Sequence, residues 1–278
     1  MGNRETRCFS CFEKQQRLQG QSNDMASPIA FAPMENDISD SRLSSDTIEK
    51  EEPKDDGPFS RDSAIKLIDD CQEKFLSIIK TNFEEEKYIL EHNQDGLEIF
   101  SCDTNEGFMI ISRWKAPFTP ERIVNFLRCT ENRKQWDKNI ADIKQICAIT
   151  PDISVYYQLY KKVLAAAPRD LLLISKITQV ENTMIEISTS IDSPVFPEKK
   201  DIVRAQLFLG GYYIKPIEKD TDGNICEVTN VSQASFGGSI PKGMLKKMSI
   251  KLVPTYIKSL VEGIKSQDSK ENNNDAKI

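Results

Sequence analysis

Seven stretches between residues 97 and 234 are rich in β-branched and aromatic side chains, and all but one are separated by short polar segments. They span 97–102, 108–115, 155–162, 171–179, 184–191, 202–216 and 225–234. Strands joined by short turns pair antiparallel, because a parallel pair needs a crossover of a dozen or more residues. Asp222-Gly223 between the last two is a hairpin signal. The chain is therefore expected to build one antiparallel sheet, with helices before, within and after the strand series.

Three helical stretches frame that sheet. Over 63–83, Ile65, Ile68, Phe75, Ile78 and Ile79 recur at helical spacing, with Leu67, Cys71 and Leu76 beside them. A second stretch follows Pro120, where Ile123, Val124, Phe126 and Leu127 lie together and Thr119 is placed to cap the N-terminus. The third spans 239–265, with Ser239 as N-cap, Pro241 in the first turn, and Pro254 expected to kink or divide it. The order is α+β, with a strongly curved sheet and a final helix available to cover it.

Composition narrows the chemistry. Thirty-seven Lys and Arg against 43 Asp and Glu leave a net charge of −6, which argues against a general nucleic-acid binder. A single histidine, His92, excludes most metal-hydrolase and imidazole acid–base schemes, and its place after a charged helix suggests the surface. No apolar run reaches the roughly 18 residues that span a bilayer, and no secretory signal is visible. Seven cysteines read as free thiols. Gly-x-Ser-x-Gly, His-Glu-x-x-His and phosphate-binding glycine loops are missing.

Charge also divides the chain. Residues 1–20 carry a net +2, residues 21–58 a net −7, and the remainder is nearly balanced. The acidic stretch is too poor in apolar residues to offset chain entropy, so 1–58 is expected to be a disordered tail. The folded domain is expected over 59–266, with 267–278 as a second disordered tail.

Specific residues then carry a resemblance. Arg133, Trp136 and Asp137 in an Arg-Lys-Gln-Trp-Asp run, Pro168-Arg169-Asp170, Val203-Arg204-Ala205 and Gly237-Gly238-Ser239-Ile240-Pro241 occur in this order. Together they make the region from Phe59 to Ser266 resemble the START family of lipid-binding domains. The resemblance implies a helix-grip fold, in which a curved antiparallel sheet wraps a long C-terminal helix and encloses a lipid tunnel. It also implies a monomer with one lipid ligand, no cofactor and no catalytic residue of its own. Ser235 stands where the family often has Asp. Ser175 stands where some members place a tunnel Arg, which favours a neutral head group.

Strand periodicity puts Leu171, Leu173 and Ser175 on one face, and the resemblance makes that face the tunnel wall. Leu245, Met248, Leu252 and Tyr256 of the last helix are expected to complete it. Arg169, Asp170 and Arg204 are expected to form structural ion pairs, and Trp114 and Trp136 to pack in the core. Residues 241–265 carry six lysines against Glu262, a net +5. Of these, Lys246, Lys247 and Lys251 are candidate contacts to an anionic leaflet, the alternative being a solvated basic face.

Met1-Gly2-Asn3-Arg4-Glu5-Thr6 fits the N-myristoylation pattern, with Cys8 and Cys11 as palmitoylation candidates. A Cys-x-x-Cys metal or redox pair is disfavoured, since no further ligands follow in the tail. One myristoyl chain binds membranes only marginally, so the second acyl group would make the anchor stable. The spacer would hold the domain within roughly 35 Å of the bilayer for ~40 residues. The expected function is a cytoplasmic lipid-binding or lipid-transfer protein, peripheral on a membrane. A lipid sensor or scaffold and, less favoured, an acyl-thioester hydrolase are the alternatives. Replacing Gly2 with Ala is expected to move the protein into the soluble fraction and to abolish incorporation of a myristate analogue. Label retained on Gly2→Ala would place any acylation elsewhere.

Overall fold

A computed structural model describes residues 60–275, except 86, 163–166, 194–195, 218–224 and 239; for 271–275 it describes the backbone alone. Helix α1 (Arg61–Ile79) begins where Ser60 Oγ accepts from the Ser63 N–H. The strands β1 (Ile89–Gln94), β2 (Leu97–Thr104) and β3 (Gly107–Ala116) follow, then the short helices α2 (Pro120–Arg128) and α3 (Thr130–Trp136). Strands β4 (Ile140–Ala148), β5 (Ile153–Tyr160), β6 (Arg169–Val180), β7 (Thr183–Ser190), β8 (Val203–Arg204), β9 (Gln206–Pro216) and β10 (Cys226–Ser235) lead into helix α4 (Lys242–Asp275).

Nine strands form one antiparallel path, β1-β2-β3-β10-β9-β7-β6-β5-β4, and the two-residue β8 pairs in parallel with β6. The sheet curves around α4. All seven stretches rich in β-branched and aromatic residues are strands, and Thr119 Oγ1 caps α2 by accepting from the Arg122 N–H. The stretch 202–216 is two strands, because Ala205 turns its N–H to the Asp170 carbonyl and leaves the ladder of β9.

The structure corrects several expectations. The edge strands β1 and β4 have no clear alternation; β1 is exposed almost throughout, and β4 shifts register twice against β5. Edge strands answer to a neighbour on one side only, so sequence pattern marks them weakly. His92 accordingly lies in β1, at its register shift, rather than after a helix. Helix α1 stops at Ile79; Phe83 packs instead against Tyr88 and Phe100, with centroids 5.3 and 5.7 Å apart.

Helix α4 is one helix, with Pro254 inside it. Pro241 precedes it, and its carbonyl accepts from Met244 and Leu245; Ser239 lies outside the described residues. Residues 267–275 are helical, not a tail. Arg122 Nε donates to Asp268 at 2.8 Å and Asn132 to Gln267 at 2.9 Å, which fastens this last part of the helix to α2 and α3.

The two faces of the sheet are packed differently. On the outer face, Ile68, Cys71 and Phe75 of α1 join Ile111, Leu172, Ile174, Ile187 and Val231 in one continuous core. On the inner face, the buried apolar residues form three separate clusters, the largest joining α2, α3 and α4 to the sheet through Trp114, Phe126, Trp136, Leu260 and Ile264.

Gly211 fixes how closely α1 approaches. A Cβ there would lie 2.6 Å from the Glu186 carbonyl oxygen and 2.9 Å from the Phe75 ring. The carbonyl belongs to the ladder and cannot give way. Gly211→Ala is therefore expected to destabilise the domain by about 2 kcal/mol. Gly243→Ala in α4, which meets nothing within 4 Å, should be neutral or stabilising by about 0.5 kcal/mol. Urea midpoints at constant slope measure both.

Candidate functional site

Strand register brings small side chains into one row on the inner face. Ser154 pairs with Ser175, Ser175 with Ser188, Ser188 with Gly210, and Gly210 with Ser232, across β5, β6, β7, β9 and β10. At Gly210 the Leu207 side chain covers the row, 2.8 Å from where a Cβ would stand. The adjacent row runs Glu186, Tyr212, Asn230, Ser112. The separate inner clusters lie around this polar band, which divides what would otherwise be one core.

Ionisable groups converge on the band. Arg133, from α3, donates from Nε to Asp137 Oδ2 at 3.2 Å and lies over the rings of Trp136 and Tyr256 at 5.0 and 5.8 Å. Burial works against the guanidinium charge, but the Tyr256 and Tyr212 hydroxyls and the Asp137 carboxylate outweigh it and hold the proton more tightly. Tyr212 and Tyr256 share a hydrogen bond of 2.6 Å that ties β9 to α4. Burial raises both phenols, and pushes Tyr160 up to about 12.

Glu186 accepts from Ser175 Oγ at 3.3 Å. Burial raises its carboxyl pKa against the opposing pull of the Arg133 charge and the Ser175 hydrogen bond. Glu186, Tyr160 and Tyr256 all lie at full depth yet keep partial accessible surface. Tyr256 lines the recess that opens beside Leu252 and Asn139.

The expected wall residues fall into distinct environments. Leu171 and Leu173 cluster with Ala205, Tyr160 and Leu207 beside the serine row, and Ser175 is part of the row. Leu245 packs on Ile99, Phe108 and Ile110, and Tyr256 points inward to Tyr212. Met248 is half-buried outside the three clusters. Leu252 is 45% exposed and lines a recess with Trp136, Asp137 and Asn139, so it stands at the rim and not in the wall. The apolar face that α4 buries carries Ile257, Leu260 and Ile264.

The remaining candidates are also located. Lys246 Nζ pairs with Asp103 Oδ1 at 2.9 Å and its side chain is only 17% exposed, whereas Lys247 and Lys251 are exposed. Lys246 is thus a brace between α4 and the end of β2. Gly2, Cys8 and Cys11 lie outside the described residues.

Arg204 and Asp170 form the expected ion pair, two-pronged at 2.8 and 3.2 Å, with Asp170 fully buried. Arg169 has a different role: its guanidinium donates to the carbonyls of Phe236 at 3.2 Å and Gly237 at 3.4 Å. It clamps the Gly237-Gly238 turn, both glycines at positive φ, that launches α4. Trp114 and Trp136 are core residues.

Sequence reasoning named Arg133 only as part of a pattern and passed over Glu186 and Tyr212. The uncharged Ser175 does not leave the interior uncharged, because Arg133, Asp137 and Glu186 supply charge from other elements. Alternation marked Glu186 as facing the same side as Met184 and Ser188, and a carboxylate on an inward position was the available signal.

This sheet, helix and interior define a helix-grip domain. The START domain family model matches residues 87–270, and the chain belongs to that family. Over 140 residues it is 28% identical to START domain-containing protein 10 of Mus musculus, covering 50% of this chain and 47% of that protein. The ceramide transfer protein of Mus musculus is 22% identical over 237 residues, 72% of this chain and 38% of the relative. The chain thus spans less than half the length of either relative. Among solved structures, human STARD10 matches with TM-score 0.64 and 22% identity, covering 74% of this chain and 83% of that one. Human StAR-related lipid transfer protein 5 matches at 0.68 and 16%, covering 75% and 100%.

Glu186 also sets a pH dependence. A carboxyl whose pKa rises on folding adds stability below its unfolded value, ~4.3, and loses that contribution as pH climbs through the raised folded value. The difference in unfolding free energy between the ligand-free native protein and Glu186→Gln is therefore expected to move against the native protein across this interval. Parallel denaturation series from pH 4 upward check it; a difference independent of pH would place Glu186 in contact with water.

Proposed function

We propose that the domain binds one lipid between the inner face of the sheet and helix α4 and carries it between membranes. The observation that supports this most directly is the row Ser154–Ser175–Ser188–Gly210–Ser232 beside a buried polar band. Serines on four of these strands turn their hydroxyls to the same side as the polar band and offer partners to a polar group, while the Leu207 side chain covers Gly210. The lipid's apolar body would lie along Leu171 and Leu173, with its polar end near Arg133, Tyr212 and Glu186. The names of two relatives, a ceramide transfer protein and a lipid transfer protein, accord with this reading.

Exchange needs an opening, and α4 is the element to move. Its start is a glycine turn held by Arg169, and Pro254 removes one backbone hydrogen bond within it. The outward side carries Met244 and Leu252, 46% and 45% exposed, with Lys247 and Lys251 between them. That combination suits contact with an anionic leaflet. Acyl groups on Gly2 and on Cys8 or Cys11 would keep the domain at that surface, on the cytoplasmic side of a membrane. No helix among the described residues is long and apolar enough to cross a membrane.

Leu173→Trp is expected to fill the space and abolish lipid uptake, while circular dichroism and thermal unfolding stay close to native. Native mass spectrometry of protein incubated with mixed-lipid vesicles reads the bound lipid directly. A folded variant that binds lipid as the native protein does would overturn the assignment. Lipid bound normally but never passed between donor and acceptor vesicles would leave a sensor.

A further inference from the structure

We propose that Glu186 is the residue that selects the ligand, reserving the interior for lipids whose polar end carries an ammonium group. The inference rests on the lipid-binding reading above and names the ligand class for that same site.

Glu186 stands near the middle of β7, between β6 and β9. Among the described residues its carboxylate accepts one hydrogen bond, from Ser175 Oγ, and lies within ion-pair distance of no cation. Its second oxygen has no hydrogen-bond partner among the described residues. The cation whose charge reaches it most strongly, Arg133, is already committed to Asp137 and stacked against Trp136. The Arg128 guanidinium adds a smaller pull but, among the described residues, forms no ion pair with Glu186, so Asp137 has a paired cation and Glu186 has none.

A buried carboxyl without a cation keeps its proton; one supplied with a cation ionises and gains a charge-assisted hydrogen bond. A ligand ammonium would supply the cation that Glu186 lacks. An anionic head group meets the opposite situation, since the Arg133 charge is spent on Asp137 and Glu186 repels the newcomer. An uncharged head group neither gains nor loses by ionisation. The predicted order is ammonium-bearing, then uncharged, then anionic.

The experiment uses the full chain, incubated with vesicles containing equal amounts of phosphatidylethanolamine, phosphatidylcholine, phosphatidylglycerol, diacylglycerol and a long-chain amine, all of matched acyl length. Native mass spectrometry then reports which lipid is held. The native protein is expected to favour the ammonium-bearing lipids over phosphatidylglycerol by about tenfold or more, the worth of one charge-assisted hydrogen bond. Glu186→Gln should lose that preference while still holding lipid, and Glu186→Asp should retain part of it. Preference for the two phospholipids over the amine would show that the phosphate is also read; preference for the amine would show that the ammonium suffices. Either supports the inference.

A native protein that takes all five lipids equally, or a Glu186→Gln protein as selective as the native one, would overturn it. Should Glu186→Gln not fold, the native selectivity and the Glu186→Asp protein decide the matter by the same criteria. Failure of the native protein to hold any of the five would instead overturn the lipid-binding reading itself.

Discussion

The register of β6, β7, β9 and β10 is the constraint on which the rest of this domain depends. Side chains alternate at a period of two, so a slip of one residue in any of these ladders would turn every inward residue outward. In the observed register, Ser175, Ser188, Gly210 and Ser232 face one another in sequence, and Glu186, Tyr212 and Asn230 form the adjacent line. The same alternation sends Leu172, Ile174, Ile187 and Val231 to the other face, where α1 covers them. One choice of register thus produces a continuous outer core and an inner face crossed by a polar band.

The inner side is held by contacts at several points along α4 as well as by its apolar clusters. Arg169 fixes the turn before the helix, Lys246 braces its first part on Asp103, Tyr256 meets Tyr212 near the middle, and Asp268 meets Arg122 near its end. Its best-buried apolar residues, Leu260 and Ile264, lie in the second half. The first half packs on a smaller group around Ile99, Phe108 and Ile110. The helix is thus anchored more strongly in its second half than in its first.

Much of this architecture was legible in the chain. Where both neighbours of a strand are present, as for β6, β7 and β10, burial favours β-branched and apolar side chains along the strand, and that enrichment was plain. The edge strands β1 and β4 answer to one neighbour and to solvent, and their patterns were not. The extension of α4 to Asp275 was hidden for a similar reason. Its polar final turns read as tail until Arg122 and Asn132, more than a hundred residues earlier, supply partners.

By itself the sequence determined the α+β order, the antiparallel pairing, the capped start of α2 and the face on which Leu171, Leu173 and Ser175 lie, because periodicity, turn chemistry and capping act over a few residues. Only the tertiary structure decided that Arg133 from α3, Tyr212 from β9, Glu186 from β7 and Tyr256 from α4 meet in one place. It likewise decided that Leu252 and Lys246 exchange the environments expected of them, one at the rim and one in a partly buried pair. These outcomes depend on cross-strand register and on where a helix crosses a curved sheet. Both are set by the packing of distant segments, and no local pattern in the chain records them.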